Sequence, residues 1–256
     1  MEKREIIKPN VIADAWSSLR SYTAARIALG RTGISVPLNE TLQFKMAHAN
    51  ARDAVYSSLH KDALIESIQS FQLPAFLLHS KANDRSVYLQ RPDLGRRLND
   101  DSVTQLQNFN SGNSHVCIVI ADGLSAPAIN NHASHVLMNL IPLLQKAGLQ
   151  IAPVCITEQA RVAISDEIGF LLKAKLSVML IGERPGLSSP DSLGVYLTYD
   201  PQVGLTDESR NCISNIRPEG LDYKNAADKI FYLINEALRL KISGVQLKDN
   251  GGLLHG

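Results

Sequence analysis

Short apolar runs alternate with longer helical patterns through the C-terminal half of the chain. Three runs have the length and composition of buried strands, and two more are candidate strands: 116–121, 150–156, 176–181, 195–199 and 212–216. Apolar residues recur at three- and four-residue steps in the intervening segments, which predicts helices up to about Ala147, over 162–173 and over 225–240. This alternation predicts an α/β fold with a mostly parallel sheet and helices on both faces.

The N-terminal region has a different pattern, and we predict that it is mostly helical. Residues 1–10 are polar and are interpreted as a short tail. Helices are predicted from Asp14 through Trp16, Leu19, Thr23 and Ile27 toward Gly30, over 39–59 with Asn39 as N-cap, and over 61–71, with a short strand at 87–89. The polar segment 108–114 is the best candidate linker. The sequence therefore predicts a helical region at 1–107 and a second domain at 108–256.

Composition and charge restrict the class of protein. The 256 residues are 45% hydrophobic and 20% charged, as in an ordinary soluble globular protein. The 26 Lys and Arg residues nearly balance the 25 Asp and Glu, and a net charge of +1 gives no support for binding to nucleic acid or to an anionic membrane. No apolar run approaches the roughly 20 residues of a membrane span, and the N-terminus lacks the apolar core of a secretory signal. Three scattered cysteines (Cys117, Cys155, Cys212) are typical of a reducing compartment, so we expect a cytoplasmic protein.

A polar loop follows the apolar run 176–181 and is the strongest candidate binding site. Its sequence, Gly-Glu-Arg-Pro-Gly at 182–186, combines a constrained backbone with a carboxylate at Glu183. Open α/β sheets bind ligands at the carboxyl ends of their strands. Glu183 could therefore bind a neutral, donor-rich ligand such as a ribose or an amide. A structural pair between Glu183 and Arg184 that only holds the turn is an equally good interpretation.

Other sites are poorly supported. There is no G-x-G-x-x-G and no Walker A lysine loop, so a dinucleotide or nucleoside triphosphate is not predicted. Asp122 follows the first buried strand, where capping of the next helix is a better interpretation than ligand binding. His132 and His135 lack a neighbouring acid or thiolate in the sequence that would complete a metal site, and no G-x-S-x-G motif supports Ser125 as a nucleophile. His48 is interpreted as a core-facing histidine.

Several motifs, in order, resemble the small (light) subunit of ethanolamine ammonia-lyase. They are LRxxTxARIxLGRxG at 19–33, HAxARDAV at 48–55, DGLS at 122–125, DEIG at 166–169, GERPGL at 182–187 and CISNI at 212–216. The resemblance covers nearly the whole chain, and the set is far more specific than any one of its members.

The resemblance implies a fold, a cofactor and a partner. The family has a helical N-terminal part followed by a Rossmann-like domain, which here would be the cobalamin-binding domain at 108–256. The active enzyme uses adenosylcobalamin and a radical mechanism to convert ethanolamine to acetaldehyde and ammonia, and its catalytic side chains belong to a large TIM-barrel subunit. The cobalamin-contacting positions of the small subunit match Val162, Glu183 and Cys212. No catalytic residue and no metal ligand is implied for this chain.

Two further expectations concern the cofactor and the location. Many cobalamin proteins replace the lower base of the cofactor with a histidine from a D-x-H-x-x-G motif, but no D-x-H occurs here. The cofactor is therefore expected to keep its own dimethylbenzimidazole. The family works in the cytoplasm, free or inside a bacterial microcompartment, and the short segment ahead of Asp14 leaves little room for an extension that directs packaging.

Two other functions remain open on the sequence. A stand-alone small-molecule-binding module of Rossmann type would bind its ligand tightly without a partner. A purely structural cap would use Glu183 and Cys212 for packing alone.

Overall fold

The computed structural model describes residues 11–109 and 112–248. The predicted polar tail at 1–10 lies outside the described residues, as do two residues of the predicted linker at 108–114.

Seven α-helices and six β-strands make up the described part of the chain. The helices are α1 (Leu38–Tyr56), α2 (Lys61–Gln69), α3 (Arg85–Gln90), α4 (Asp100–Gln107), α5 (Ala126–Lys146), α6 (Ile164–Leu171) and α7 (Tyr223–Leu240). The strands are β1 (Ala75–His79), β2 (Val116–Ala121), β3 (Val154–Glu158), β4 (Leu176–Gly182), β5 (Leu193–Tyr199) and β6 (Arg210–Ile216).

The strands form one mixed sheet in the order β1-β3-β2-β4-β5-β6. The pairings β1–β3, β3–β2 and β2–β4 are parallel, whereas β5 is antiparallel to both β4 and β6. Only the ten residues 183–192 join β4 to β5, which is too short for the crossover that a parallel neighbour needs. The α/β class is confirmed, but the Rossmann-like description is not, because the sheet is mixed.

Helices cover both faces of the sheet, as predicted. On β2, alternate residues point into two separate apolar clusters because successive side chains of a strand face opposite ways. Val116, Ile118 and Ile120 pack in the cluster that contains α2, α5 and α7 residues. Cys117 and Val119 pack on the other side, with residues of α4 and α6. Every residue of β2 and β4 is buried, which explains why the sequence shows continuous apolar runs rather than alternation.

The predicted helix from Asp14 to Gly30 is wrong. Only a 3₁₀ turn forms, at Ser17–Ser21, and Trp16 and Leu19 are 67% and 42% exposed. An apolar stripe stabilises a helix only where it is buried, and nothing described covers this one. The segment instead turns back on itself, so that Ile12 and Arg31 form an antiparallel bridge.

Two other elements of the N-terminal region differ from prediction. The residues predicted as a strand at 87–89 belong to α3, because the Asp84 side chain accepts a hydrogen bond from Val87 N and caps a helix there. Strand β1 lies within the region predicted to be mostly helical, and it pairs with β3. The sheet therefore takes a strand from before residue 107, while the division of the chain at 107/108 stays a prediction.

The remaining differences are at element boundaries. Helix α1 begins after Pro37, with no side-chain cap, rather than after Asn39. Strand β3 begins at Val154, four residues later than predicted, because Pro153 has no backbone N–H to donate. Among the described residues, no helix is long and apolar enough to cross a membrane.

Candidate functional site

A cavity of about 380 Å³ lies at the carboxyl ends of the central parallel strands. The loop after β2, the loop after β3 and the end of β4 form most of its wall, and α3 and β5 each add a tyrosine. The lining residues are Tyr88, Gly123, Leu124, Arg161, Val162, Ile181, Gly182, Glu183, Arg184 and Tyr196. This is the edge of the sheet where the polar loop of the sequence was expected to meet a ligand.

Two glycines let the loop after β2 lie directly against the end of β4. Gly123 has a φ of +55°, and Leu124 N donates to Gly182 O at 3.0 Å. A Cβ on Gly182 would lie 2.0 Å from Ser125 O, and one on Gly123 would lie 2.3 Å from Gly182 O. Only glycine permits this approach, which fixes one wall of the cavity.

Asp122 holds the next wall in place. Its buried carboxylate accepts hydrogen bonds from Gln159 N at 2.9 Å and from Ala160 N at 3.1 Å, and it lies 3.5 Å from Arg85 Nη1. Burial raises the pKa of Asp122, while these hydrogen bonds and the Arg85 charge oppose the rise. The prediction that Asp122 caps α5 is wrong, because Ser125 caps this helix by accepting a hydrogen bond from Ala128 N. Asp122 instead positions the loop that carries Val162.

Glu183 follows β4 directly and is held by the residue just before β5 and by a residue of β6. Its Oε2 accepts from Ser192 Oγ and, at 3.3 Å, from Asn215 N. Its carboxyl group packs across Gly194, where a Cβ would lie 2.9 Å from Oε1. No residue in the described ranges donates a hydrogen bond to Oε1, which leaves a fixed acceptor at the cavity.

The alternative of a Glu183–Arg184 pair is not what the structure shows. The carboxylate of Glu183 bonds to Ser192 and Asn215, and Arg184 is exposed. The turn is therefore held by hydrogen bonds between strand ends rather than by an ion pair.

The structure brings two of the three predicted site residues into one cavity. Val162, half-buried, and Glu183 both line it. Cys212 is exposed and does not line it, but its strand position pairs with Tyr196, which does. Burial raises the pKa of Tyr196, and the neighbouring Cys212 thiol adds to this rise. Cys212 therefore lies beside the cavity, one residue removed from it.

Sequence reasoning missed Tyr88 and Arg161 in this wall. The Arg161 guanidinium lies 4.2 Å from the centre of the Tyr88 ring, and that of Arg85 lies 4.7 Å from it. The signal available was an arginine immediately before Val162 in a loop that follows a strand. Tyr88 could not be predicted as the partner of Arg161, because the pattern at 87–89 predicts a strand and the structure has a helix there.

The alternative sites of the sequence do not assemble. Ser125 Oγ donates to Pro190 O at 2.8 Å, while the two ring nitrogens of His132 lie 2.9 Å from Tyr223 OH and 3.2 Å from Asp191 Oδ2. His132 thus does have an acid beside it, contrary to the sequence interpretation, and that acid comes from 59 residues away. Within the described ranges, no group of three or more His, Cys, Asp or Glu side chains is placed to hold a metal ion.

His48 is exposed, and the interpretation of it as a core-facing residue is wrong. Its ring meets the exposed Phe44 edge-on at 4.9 Å. Only Ala47 and Ala54 of α1 are buried, so most of this helix faces away from the core.

Comparisons with a protein-family model and with individual known proteins all identify the same family. The model of the family described as ethanolamine ammonia-lyase light chain (EutC) matches residues 13–248. The ethanolamine ammonia-lyase small subunit of Xanthomonas campestris pv. campestris (strain B100) is 54% identical over 239 residues, which cover 92% of this chain and 88% of that protein. The proteins of the same name from Azotobacter vinelandii (53%) and Pseudomonas putida strain W619 (54%) match over 237 residues, 91% of this chain and 88% and 87% of theirs. The similarity includes both the N-terminal region and the whole sheet.

Proposed function

Since the chain belongs to the ethanolamine ammonia-lyase light chain family, and so is a small subunit of that lyase, we propose that it binds one side of adenosylcobalamin where it meets the large subunit. In this proposal the complex converts ethanolamine to acetaldehyde and ammonia by a radical mechanism, and the large subunit carries the catalytic side chains. The observation that supports the cofactor site most strongly is the cavity that Val162 and Glu183 share at the carboxyl edge of the sheet.

The residues around this cavity fit an edge of cobalamin. The rim of the corrin ring carries amide groups, which donate and accept hydrogen bonds. Glu183 Oε1 offers a fixed acceptor, and the backbone at Gly123 and Gly182 can be approached closely because neither residue has a side chain. The Arg161 guanidinium donates only through Nη2 to a residue of the described ranges, which leaves donors at the cavity. Acceptors and donors are thus both present, as an amide-bearing ligand requires.

The size of the cavity supports a site that is completed by a partner. At about 380 Å³, it is near the lower limit for pockets that enclose a drug-sized molecule. Cobalamin is far larger, so most of its surface would lie outside this chain. A second protein must cover that surface if the reaction is to be kept from water.

Each of the three site residues has a limited task in this proposal. When bound, adenosylcobalamin supplies the adenosyl radical that abstracts hydrogen from the substrate. Glu183 accepts a hydrogen bond from the cofactor, and the half-buried Val162 adds an apolar wall that excludes water. Cys212, with Tyr196 behind it, provides a small, soft surface at the rim.

The exposed apolar side chains support the need for a large subunit. Of the 19 large apolar side chains that are exposed in the described ranges, 13 lie between residues 11 and 56. The same segment reaches the site loop, where Arg26 Nη2 donates to Leu187 O at 3.2 Å. Concentrated apolar exposure is typical of a surface that another protein covers. We therefore assign this surface, together with the mouth of the cavity, to the large subunit.

Reconstitution tests the proposed function. The purified chain is expected to show no ethanolamine deamination, and the chain mixed with a large subunit and adenosylcobalamin should form acetaldehyde. Acetaldehyde can be measured by coupling its reduction to the oxidation of NADH. The large subunit with cofactor but without this chain is the control.

Three results would contradict the proposal in different ways. Turnover of ethanolamine by the chain alone would show that the catalytic groups lie here. If both subunits assemble and the cofactor is intact but the mixture is inactive, the proposed conversion of ethanolamine to acetaldehyde by this complex is wrong. Tight binding of a small molecule by the isolated chain would favour the stand-alone module instead.

A further inference from the structure

The proposed contacts of Val162 and Glu183 with the cofactor give no role to Arg161, which lies beside them. It lines the cavity described above and also a neighbouring cavity of about 640 Å³. The second cavity lies between the loop after β3, the 92–97 segment and the 203–207 loop, and it is lined in addition by Arg96 and Arg97. Arg161 and Val162 form the wall that the two cavities share.

The Arg161 side chain is held firmly. Its backbone N donates to Gly95 O at 2.7 Å, and its stem packs over Gly95, where a Cβ would lie 2.9 Å from Arg161 Cγ. The guanidinium stacks on the buried Tyr88 ring, and Nη2 donates to Tyr88 O at 3.2 Å. A guanidinium fixed in this way loses little conformational entropy when it binds a ligand.

The guanidinium nevertheless has donors left over. Of its three nitrogens, only Nη2 donates to a residue in the described ranges. Nε is shut off from solvent and has no partner among the residues that the structure describes. Nη1 also donates to none of them but is not buried, so it is the donor that an incoming acceptor can reach.

The acidic residues around the second cavity are already paired with other arginines. Glu167 bonds to Arg97 at 2.8 and 3.1 Å. Asp93 bonds to Arg91 at 2.7 and 2.9 Å, and Asp207 bonds to Arg210 at 3.2 Å.

Two cations of this cavity are left without a counter-charge. Arg96 is exposed and forms no ion pair with any residue that the structure describes. Arg161 likewise forms no ion pair within the described ranges, and the buried Asp122 carboxylate behind this wall pairs with Arg85. The wall that the two cavities share is therefore suited to an anion.

We propose that Arg161, assisted by Arg96, binds the phosphodiester of the nucleotide tail of cobalamin, while Glu183 contacts the corrin side. This assignment rests on the proposed function. Cobalamin carries one fixed negative charge outside the corrin, on that phosphodiester, and a planar guanidinium matches its two non-bridging oxygens. The two adjoining cavities then correspond to two parts of one ligand.

Comparing two cofactors tests this assignment in the assembled complex. Adenosylcobinamide has the same corrin and adenosyl groups as adenosylcobalamin but lacks the phosphodiester and its base. Arg161→Gln is expected to weaken the equilibrium binding of adenosylcobalamin about 10- to 100-fold and to leave that of adenosylcobinamide unchanged. Arg239→Gln, which removes an exposed arginine on α7 that is paired with Glu236, is the control and should change neither affinity.

The outcomes are distinct. Equal weakening for both cofactors, or for neither, would overturn the assignment to the tail. If Arg161→Gln does not assemble, the wild-type complex provides the test: raising the salt concentration should reduce its affinity for adenosylcobalamin but not for adenosylcobinamide, and an equal response would contradict the proposal. A wild-type complex that binds neither compound would instead show that the proposed function is wrong.

Discussion

Replacing Arg210 with methionine is expected to lower the free energy of unfolding by about 3–5 kcal/mol, the largest loss that we predict for a single side chain. Arg210 lies at the start of β6 and is only 6% exposed, and its Nη2 bonds to Asp166 on α6, which is 1% exposed. The same guanidinium donates to Leu205 O at 3.2 Å and pairs with Asp207. Removing it leaves a buried carboxylate unpaired and releases the 205–207 loop. Urea unfolding of the two chains measures the difference.

The loss should depend on pH in a stated direction. Burial raises the pKa of Asp166 to about 6, against the opposing charge of Arg210. A carboxyl group whose folded-state pKa lies above its unfolded value contributes stability that falls as pH rises from about 4 to about 6. In Arg210→Met the opposing charge is gone, so this pKa should rise further. The variant should therefore lose less stability at pH 5, where Asp166 is largely protonated, than at pH 8.

The control for Arg210 is an exposed pair on α7. Arg239 bonds to Glu236 at 2.6 Å, but its side chain is 64% exposed. Arg239→Met should cost no more than about 1 kcal/mol, since water screens the pair. A similar cost for the two variants, or a loss for Arg210→Met that is the same at pH 5 and pH 8, would contradict the interpretation of a buried charge.

Replacing Gly182 with alanine is expected to have the second-largest effect. The new Cβ would lie 2.0 Å from Ser125 O and 2.5 Å from Asp122 O, and both of these atoms are backbone. The loop after β2 must move, at a cost of about 1–3 kcal/mol or more, and the cavity wall moves with it. The variant should therefore lose both thermal stability and cobalamin affinity in the assembled complex.

Gly186 provides a matched control in the same loop. The closest atom to a Cβ there would be Ser189 Oγ, at 3.0 Å, and the backbone atoms of Ser189 would lie at ordinary contact distances of 3.7 and 3.9 Å. A hydroxyl at the end of a side chain can turn away. Gly186→Ala should change the free energy of unfolding by less than about 1 kcal/mol and leave the affinity unchanged. Equal effects of the two substitutions would show that the close approach at Gly182 does not shape the site.

The sequence predicts the sheet where burial alone decides the structure. β2 and β4 are covered on both faces, so their residues are continuously apolar and their positions follow from the pattern. The apolar run of β5 does not indicate whether the strand is parallel or antiparallel to β4. Its antiparallel direction follows from the short loop that joins the two strands. The helix predicted from the pattern at 14–27 does not form, because burial is missing there. Its apolar residues are exposed and pack against no element that the structure describes.

Some residues of the candidate site could likewise be predicted from the sequence, and others could not. Val162 and Glu183 come after β3 and β4, the parallel strands on either side of β2, and this topology brings the carboxyl ends of the strands together. Contacts that depend on side-chain packing over long separations could not be predicted. Arg161 meets Tyr88 across 73 residues, and Glu183 is held by Ser192 and Asn215. Cys212 is proposed from the resemblance alone, and its exposed thiol lies beside the cavity and not in its wall, so its contact with the cofactor stays a prediction.

The affinity for adenosylcobalamin, compared between the assembled wild-type complex and the assembled Glu183→Ala complex, tests the central claim most directly. Ser192→Ala is the matched control, because it removes the hydroxyl that bonds to the carboxylate while keeping the carboxylate itself. The proposed site predicts that Glu183→Ala weakens binding by about 1–3 kcal/mol through the loss of a charged hydrogen bond, whereas Ser192→Ala weakens it by less. Unchanged affinity in a correctly assembled Glu183→Ala complex would contradict it and would leave this chain as a structural cap.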